Sequence, residues 1–347
     1  MIVFCGYANI DLTVGVPVLP APGDRVQATA IRHGHGGMAA NASAAAARTG
    51  ADAWFAGVVG PEPRSTAFLA ALAADGVRTD WTARTGTLTT AVVLLTPDGE
   101  RAVISQDDEL DARHITRTVR AACEAGADWL YLDGYRFPGA AAALAEAAAD
   151  APPGVPGPGL VVDLDGCDRA EALRAALSAA DHAVVGRPLA VALLGGEAAL
   201  ARAAAEHDVH LVVTDGARGW TLLTPAGERH DGRAIEVDTV DATGAGDCFT
   251  GAYCAELDRG RSALEAARFA AVAAGLSCTR PGARDGLPDR RAIDSWLAAH
   301  PTSGAPEAEA TETETRGPGT PDPATPQPGA LEPTRPQEDK ESRCARK

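Results

Sequence analysis

Short apolar runs separated by alanine-rich stretches set the strongest limit on how this chain can fold. Ile2–Gly6, Ala53–Val59, Trp129–Leu132, Leu160–Asp163, His182–Val185 and Leu211–Thr214 read as strands. Between them, Ala39–Thr49, Arg64–Ala74, Ala140–Ala149, Glu171–Ala179 and Glu197–Glu206 read as helices. Strand and helix in alternation are βα units, which assemble into a parallel sheet. Hydrophobic residues make up 46% of the chain but aromatics only 4%, so the core must be built mainly from Ala, Val and Leu. At 347 residues there is room for one large α/β domain or two small ones.

Two segments break the alternation. Leu12–Val16 with Arg25–Arg32, and Thr89–Leu95 with Arg101–Ser105, read as paired strands; the turn Thr96-Pro97-Asp98-Gly99 joins the second pair. Pro152–Gly159 is expected to be a surface loop. Beyond Ala299 the chain turns rich in Pro, Glu, Thr and Ala, with scarcely any large apolar residue. Such a segment cannot bury enough surface to offset its ordering entropy, so residues 300–347 are expected to be a disordered tail.

Charge and thiols narrow the range of partners. A net charge of −16 argues against nucleic acid or an anionic membrane, both of which need basic patches. The seven cysteines show neither C-x-x-C nor zinc-finger spacing, which reads as reduced thiols in a cytoplasmic protein. No signal peptide opens the chain, and no apolar run approaches the ~20 residues of a membrane span. His33-Gly34-His35 lacks a third metal ligand nearby and reads as a glycine-rich loop.

The chemistry concentrates in Val240-Asp241-Ala242-Thr243-Gly244-Ala245-Gly246-Asp247. An extended run, Ala234–Val237, precedes it, and an apolar helical pattern through Phe249, Tyr253 and Leu257 follows. Gly244, Ala245 and Gly246 at a helix start expose successive amides, which with the helix dipole suit phosphate oxygens. A carboxylate at Asp247 would repel phosphate unless it had a task. Taking a proton from a hydroxyl that attacks phosphorus is such a task. An ordinary capping loop is the alternative for the bare G-x-G-D; the full octet in a strand–loop–helix setting favours phosphoryl transfer.

This octet is similar to the D-T-x-G-A-G-D signature of the ribokinase-like, or PfkB, carbohydrate and nucleoside kinases, with Ala242 the one departure. Gly36-Gly37-Met38-Ala39-Ala40-Asn41 resembles the G-G-x-x-x-N of the same family, and Cys5-Gly6-Tyr7-Ala8-Asn9-Ile10-Asp11 resembles its first strand, which ends in a substrate-binding Asp. The resemblance spans about residues 1–299. It implies a three-layer αβα fold with a mainly parallel central sheet, and a small β-sheet lid made of strands at roughly 12–33 and 87–106. It also implies that Asn9, Asp11, Gly36, Gly37 and Asn41 hold a sugar whose primary hydroxyl faces Asp247.

Further roles follow from the same resemblance. Thr214-Asp215-Gly216-Ala217-Arg218-Gly219 resembles the T-x-G-x-x-G nucleotide loop, so Thr214, Gly216, Gly219, Thr243, Gly244 and Gly246 are expected to hold ATP with its Mg²⁺. Arg280-Pro281-Gly282-Ala283 looks like the loop near adenine, and a monovalent cation such as K⁺ is expected near Asp241, Thr243, Arg280 and Gly282. Two departures stand out. The family's N-x-x-E is here Gly186-Arg187-Pro188-Leu189, leaving Arg187 as a candidate phosphate partner, with a solvated surface position the alternative. Val59-Gly60 is followed by Pro61-Glu62 instead of x-D.

Arg25, Arg101 and Arg136 are candidate cations at the sugar pocket, with a surface position the alternative for each. The lid segment Pro97–Arg101 resembles that of sugar and sugar-acid kinases. The expected function is therefore transfer of the ATP γ-phosphoryl group to a primary hydroxyl of a sugar or sugar acid, and the resemblance alone implies a homodimer paired through lid strands. The alternatives are a degenerate sugar- or nucleotide-binding regulator and a nucleoside kinase. A dinucleotide-binding dehydrogenase is set aside, because Gly6-Tyr7-Ala8-Asn9 does not match the fingerprint that should follow the first strand.

Overall fold

In the computed structural model the residues described are 1–98, 101–106, 109–149 and 157–301. Ile2–Cys5 (β1) shows how the layers are arranged, since Ile2 and Phe4 enter one apolar core while Val3 and Cys5 enter another. A strand buried on both faces belongs at the centre of a sheet covered by helices on each side. Asn9–Gly15 (β2) and Ala30–Gly36 (β3) follow, then Met38–Arg48 (α1), Ala53–Phe55 (β4) and Pro63–Ala74 (α2). Thr89–Leu95 (β5) and Arg101–Ser105 (β6) lead to Ala112–Ala125 (α3). The alternation then runs Trp129–Asp133 (β7), Gly139–Ala149 (α4), Gly159–Asp163 (β8), Ala170–Ala179 (α5) and His182–Gly186 (β9). Next come Arg187–Leu194 (α6), Glu197–Glu206 (α7), His210–Thr214 (β10), Trp220–Leu223 (β11) and Arg229–Gly232 (β12). Ala245–Asp258 (α8), Ala263–Ser277 (α9) and Arg290–Ala299 (α10) complete the chain as described.

The central sheet has the order β12-β11-β10-β9-β8-β7-β1-β4. It is parallel from β4 to β10 and antiparallel at β11 and β12. Helices α3 to α7 cover one face, and α1, α2, α8, α9 and α10 the other. Small residues let the covering helices approach closely: a side chain at Gly251 of α8 would start 2.1 Å from the Ala42 carbonyl oxygen of α1. The C-terminal ends of the parallel strands share one edge, where ligands bind in folds of this kind. Asp133 and Asp163 stand side by side there, in register on β7 and β8.

A second sheet, β3-β2-β5-β6, stands apart from the first. Side chains alternate across it. Asn9 and Asp11 share one face of β2, whereas Leu12 and Val14 fall on the opposite one. In register with those two lie Ile31, His33, Val92, Leu94 and Ile104, so the face turned away from Asp11 is largely apolar.

Several expectations need correction. Only Ala53–Phe55 of the run to Val59 is a strand; beyond it there is a single bridge, Val58 to Ala83. The strand expected at Arg25–Arg32 is Ala30–Gly36, and Arg25 lies in an exposed loop. Ala234–Val237 joins no ladder, while the unanticipated β12 does so with the polar sequence Arg-His-Asp-Gly, which carries no apolar signal. Gly99 of the expected turn, residues 152–156 of the expected loop, the side chain of Arg101 and residues 302–347 of the expected tail lie outside the described residues. The six cysteines among the described residues are free thiols. No single helix there is long and apolar enough to cross a membrane.

Candidate active site

The glycine-rich octet forms the start of α8. Gly244 is the N-cap, in the left-handed region at φ 74°, and a side chain there would start 2.8 Å from Ala283 Cβ. Only glycine meets both limits. The Ala245 amide donates to Ala242 O at 3.2 Å and the Cys248 amide to Gly244 O at 2.8 Å. Between them, the amides of Gly246 and Asp247 have no earlier carbonyl within the helix to bond, and Gly246 is exposed. Together with the helix dipole, this turn is suited to an anion.

Asp247 projects from the same turn and is half-buried. Burial, aided by the carboxylates of Asp165, Asp11 and Asp133, pushes its carboxyl up to about 7; a hydrogen bond from Asn41 works in the other direction. Asn41, on the first turn of α1, donates from Nδ2 to Asp247 Oδ2 at 2.8 Å. Its Oδ1 accepts from Arg284 Nε at 3.1 Å. Asn9 Nδ2 donates to Asp11 Oδ1 at 2.6 Å, and a side chain at Gly36 would start 2.3 Å from Asp11 Oδ2. Gly37 caps α1, its carbonyl accepting from the Asn41 amide at 2.8 Å. The structure thus gathers Asn9, Asp11, Gly36, Gly37, Asn41 and Asp247, which lie far apart in sequence. Burial also raises the Asp11 carboxyl, against the lowering pull of Asn9 and Arg284.

Arg136 does not extend into a pocket. It is buried, with Nε donating to Asp133 Oδ1 at 3.0 Å and Nη1 to Leu110 O at 3.3 Å. The partner Asp133 also accepts from the Tyr7 amide at 2.5 Å. A cation beside a strand-end aspartate is drawn in to pair with it. Asp163 is buried nearby and accepts from Thr250 Oγ1 of α8 at 2.7 Å. Burial, with Asp165 and Asp247 adding to it, holds the Asp163 carboxyl well above the usual carboxylate range.

Thr214 ends β10, and Gly216 is exposed in the turn that follows. Gly219 is buried: a side chain there would start 2.0 Å from Gly232 O, so its smallness serves the packing of β11 on β12. Asp241 brackets two loops, its Oδ1 accepting from the Thr243 amide and its Oδ2 from the Gly282 amide, each at 2.9 Å. Burial opposes ionisation of this carboxyl, but those amides outweigh it and keep its pKa lowered. Arg280 is exposed. Arg187 pairs with Asp215 at 2.9 Å, with Glu197, and with Thr221 Oγ1 at 2.8 Å, which engages its donors within the protein. Asp165, which the sequence analysis passed over, is exposed just beyond β8. Its Oδ1 accepts from the Gly186 amide at 3.1 Å, and a side chain at Gly246 would start 3.6 Å from its Oδ2. Among the described residues no group of three or more His, Cys, Asp or Glu could hold a metal.

Open amides, a carboxyl poised near neutrality and a cluster of polar side chains beside it make a site for group transfer to a hydroxyl. The chain belongs to the pfkB family of carbohydrate kinases, whose profile matches residues 1–290. It is a sugar kinase, a phosphotransferase with an alcohol group as acceptor. It is 28% identical over 319 residues to a ribokinase of Bacillus subtilis, covering 84% of this chain and 98% of that one. It is 30% identical over 307 residues to an ATP-dependent ribose-1-phosphate kinase of Halopiger xanaduensis, covering 84% and 96%. The structure of Arabidopsis thaliana ribokinase complexed with ribose and ATP matches with a TM-score of 0.70 at 25% identity, covering 85% of this chain and 98% of that one.

Proposed function

We propose that this chain transfers the γ-phosphoryl group of ATP to a primary hydroxyl of a sugar, with Asp247 as the general base. The observation that carries the reading is the Asp247 carboxyl, pushed up to about 7, on the same helical turn as the open amides of Gly246 and Asp247. Asn9, Asp11, Gly36, Gly37 and Asn41 grip the sugar hydroxyls, since amides and carboxylates each reach two oxygens. As the hydroxyl attacks, Asp247 takes its proton and the helix start meets the charge that develops on the phosphoryl oxygens. Thr214, Gly216 and Thr243 line the nucleotide side, next to Gly244.

The Mg²⁺ that accompanies ATP neutralises phosphate charge when bound. A hard cation that keeps most of its waters needs only one or two carboxylates, and the exposed Asp165 beside Gly246 is a suitable donor despite Gly186 and Leu189. Asp241 stabilises the nucleotide loop by bracketing Thr243 and Gly282. A second copy of this chain covers the apolar outer face of the lid, where Ile31 is 61% exposed and Ile104 is 65% exposed.

One observation favours a second reading, a regulator that binds without turnover. The N-x-x-E positions hold Gly186 and Leu189, and Arg187 is engaged by Asp215, Glu197 and Thr221. ADP release over a panel of pentoses, hexoses, sugar acids and nucleosides separates the two. Release that depends on one acceptor supports the kinase; acceptor binding without release across the whole panel supports the regulator.

A further inference from the structure

Arg284 lies in the loop between α9 and α10, only 5% exposed. Its guanidinium sits 4.6 Å over the Phe68 ring, and Nε is held by Asn41 Oδ1 at 3.1 Å. Nη1 and Nη2 are enclosed and have no hydrogen-bond partner. Arg136, equally buried, is matched by Asp133.

The carboxylates nearest Arg284 do not complete it. Asp75 is paired with Arg48 at 2.6 Å, Asp11 is bonded to Asn9 at 2.6 Å, and Asp247 to Asn41 at 2.8 Å. All three attract the guanidinium at a distance, yet burial dominates and pulls its pKa down to about 10. A stacked, buried guanidinium with two open donors matches the paired oxygens of a carboxylate or phosphate, which also supply the missing charge. A neutral hydroxyl supplies a hydrogen bond but no charge.

The same contacts fix the orientation of the acceptor. Arg284 and Asp247 flank one residue, Asn41, on its Oδ1 and Nδ2 respectively. An acceptor whose hydroxyl meets Asp247 therefore turns its far end toward Arg284. We propose that the acceptor is an anionic sugar, a sugar phosphate or sugar acid, whose charged group seats on Nη1 and Nη2 of Arg284. This rests on the phosphoryl-transfer reading and narrows its substrate class. Asp11 of β2 lies close enough to feel the Arg284 charge, and His35 of β3 packs edge-on against the same Phe68 ring at 5.4 Å, so the second sheet borders this seat.

The test uses the full chain with six acceptors: ribose and glucose, each as the neutral sugar, the 1-phosphate and the aldonate. All six keep a terminal primary hydroxyl, and the last two forms of each separate phosphate from carboxylate. ADP release is measured for the wild type, Arg284→Gln and Arg284→Lys. One anionic form should exceed its neutral counterpart by roughly 100-fold in kcat/KM. Arg284→Gln should remove that advantage, mainly through KM, while Arg284→Lys restores part of it. Wild-type melting temperature should rise with the preferred anion, and that rise should vanish in Arg284→Gln while affinity for a non-hydrolysable ATP analogue is kept. A neutral sugar used as well as its anionic forms by the wild type overturns the inference, whatever the variants do, and leaves the kinase reading intact. No ADP release with any of the six overturns both.

Discussion

Asp247 carries a measurable signature at the residue scale. Its carboxyl sits near 7 because burial penalises the charged form, and the neighbouring Asp165 and Asp11 add to that penalty. The folded state therefore prefers the protonated form. That preference stabilises the fold fully below the unfolded carboxyl value of about 4 and is lost as pH rises through about 7. Asp247→Asn, which keeps an acceptor for the Asn41 amide, should melt several degrees above the wild type at pH 8 and at the same temperature near pH 4. A variant that melts lower at pH 8 would show that the charged carboxylate is not strained in the fold. The grouping of Asp247, Asp11 and Asn41 was legible because each belongs to a compact pattern of glycines and polar residues whose backbone demands are local. Arg284 and Asp165 were hidden for the opposite reason. An arginine becomes a site only when burial isolates its Nη atoms, and an aspartate after a strand looks like any turn residue until Gly246 is brought beside it. The burial of Arg136 beside Asp133 was hidden for a similar reason, since a short-range ion pair is not read from the chain.

Among the elements, the lid sheet makes the plainest commitment. Its strands alternate, and the face away from Asp11 presents Leu12, Val14, Ile31, Val92, Leu94 and Ile104 in register. An apolar face on a four-stranded sheet is stable in water only when something covers it. Ile31→Lys combined with Ile104→Lys should convert a dimer to a monomer in sedimentation velocity while leaving the monomer folded. A wild type that sediments as a monomer at all concentrations would remove the proposed pairing. The parallel strands and most helices were legible from the apolar runs and their alanine-rich spacers. Strand β12 was not, because its ladder is held by backbone pairing with β11 and its side chains are polar. The shift of β3 to Ala30–Gly36 escaped for a similar reason, as Arg32, His33 and His35 offer no apolar alternation to fix a register.

At the scale of the whole molecule, the fold brings residues distant in sequence into one cluster. Asn41 of α1 meets Asp247 of α8 because the two helices pack with the Ala42 carbonyl oxygen against Gly251. Arg284, from beyond α9, closes on the same Asn41, while β2 brings Asp11 over from the lid. Under the proposed function, such an arrangement would hold an alcohol, a base and a phosphate site together without covalent chemistry by the protein. Its central claim is that the Asp247 carboxylate takes the proton. The most direct measurement is ADP release with the preferred acceptor as a function of pH, for the wild type and Asp247→Asn side by side. The wild-type kcat/KM should fall tenfold per pH unit below about 7, where the carboxyl protonates, and Asp247→Asn should lose roughly 1,000-fold or more at every pH while binding the acceptor as before. A flat wild-type profile from pH 5 to 9, or a variant that turns over within a few-fold of the wild type, would contradict it.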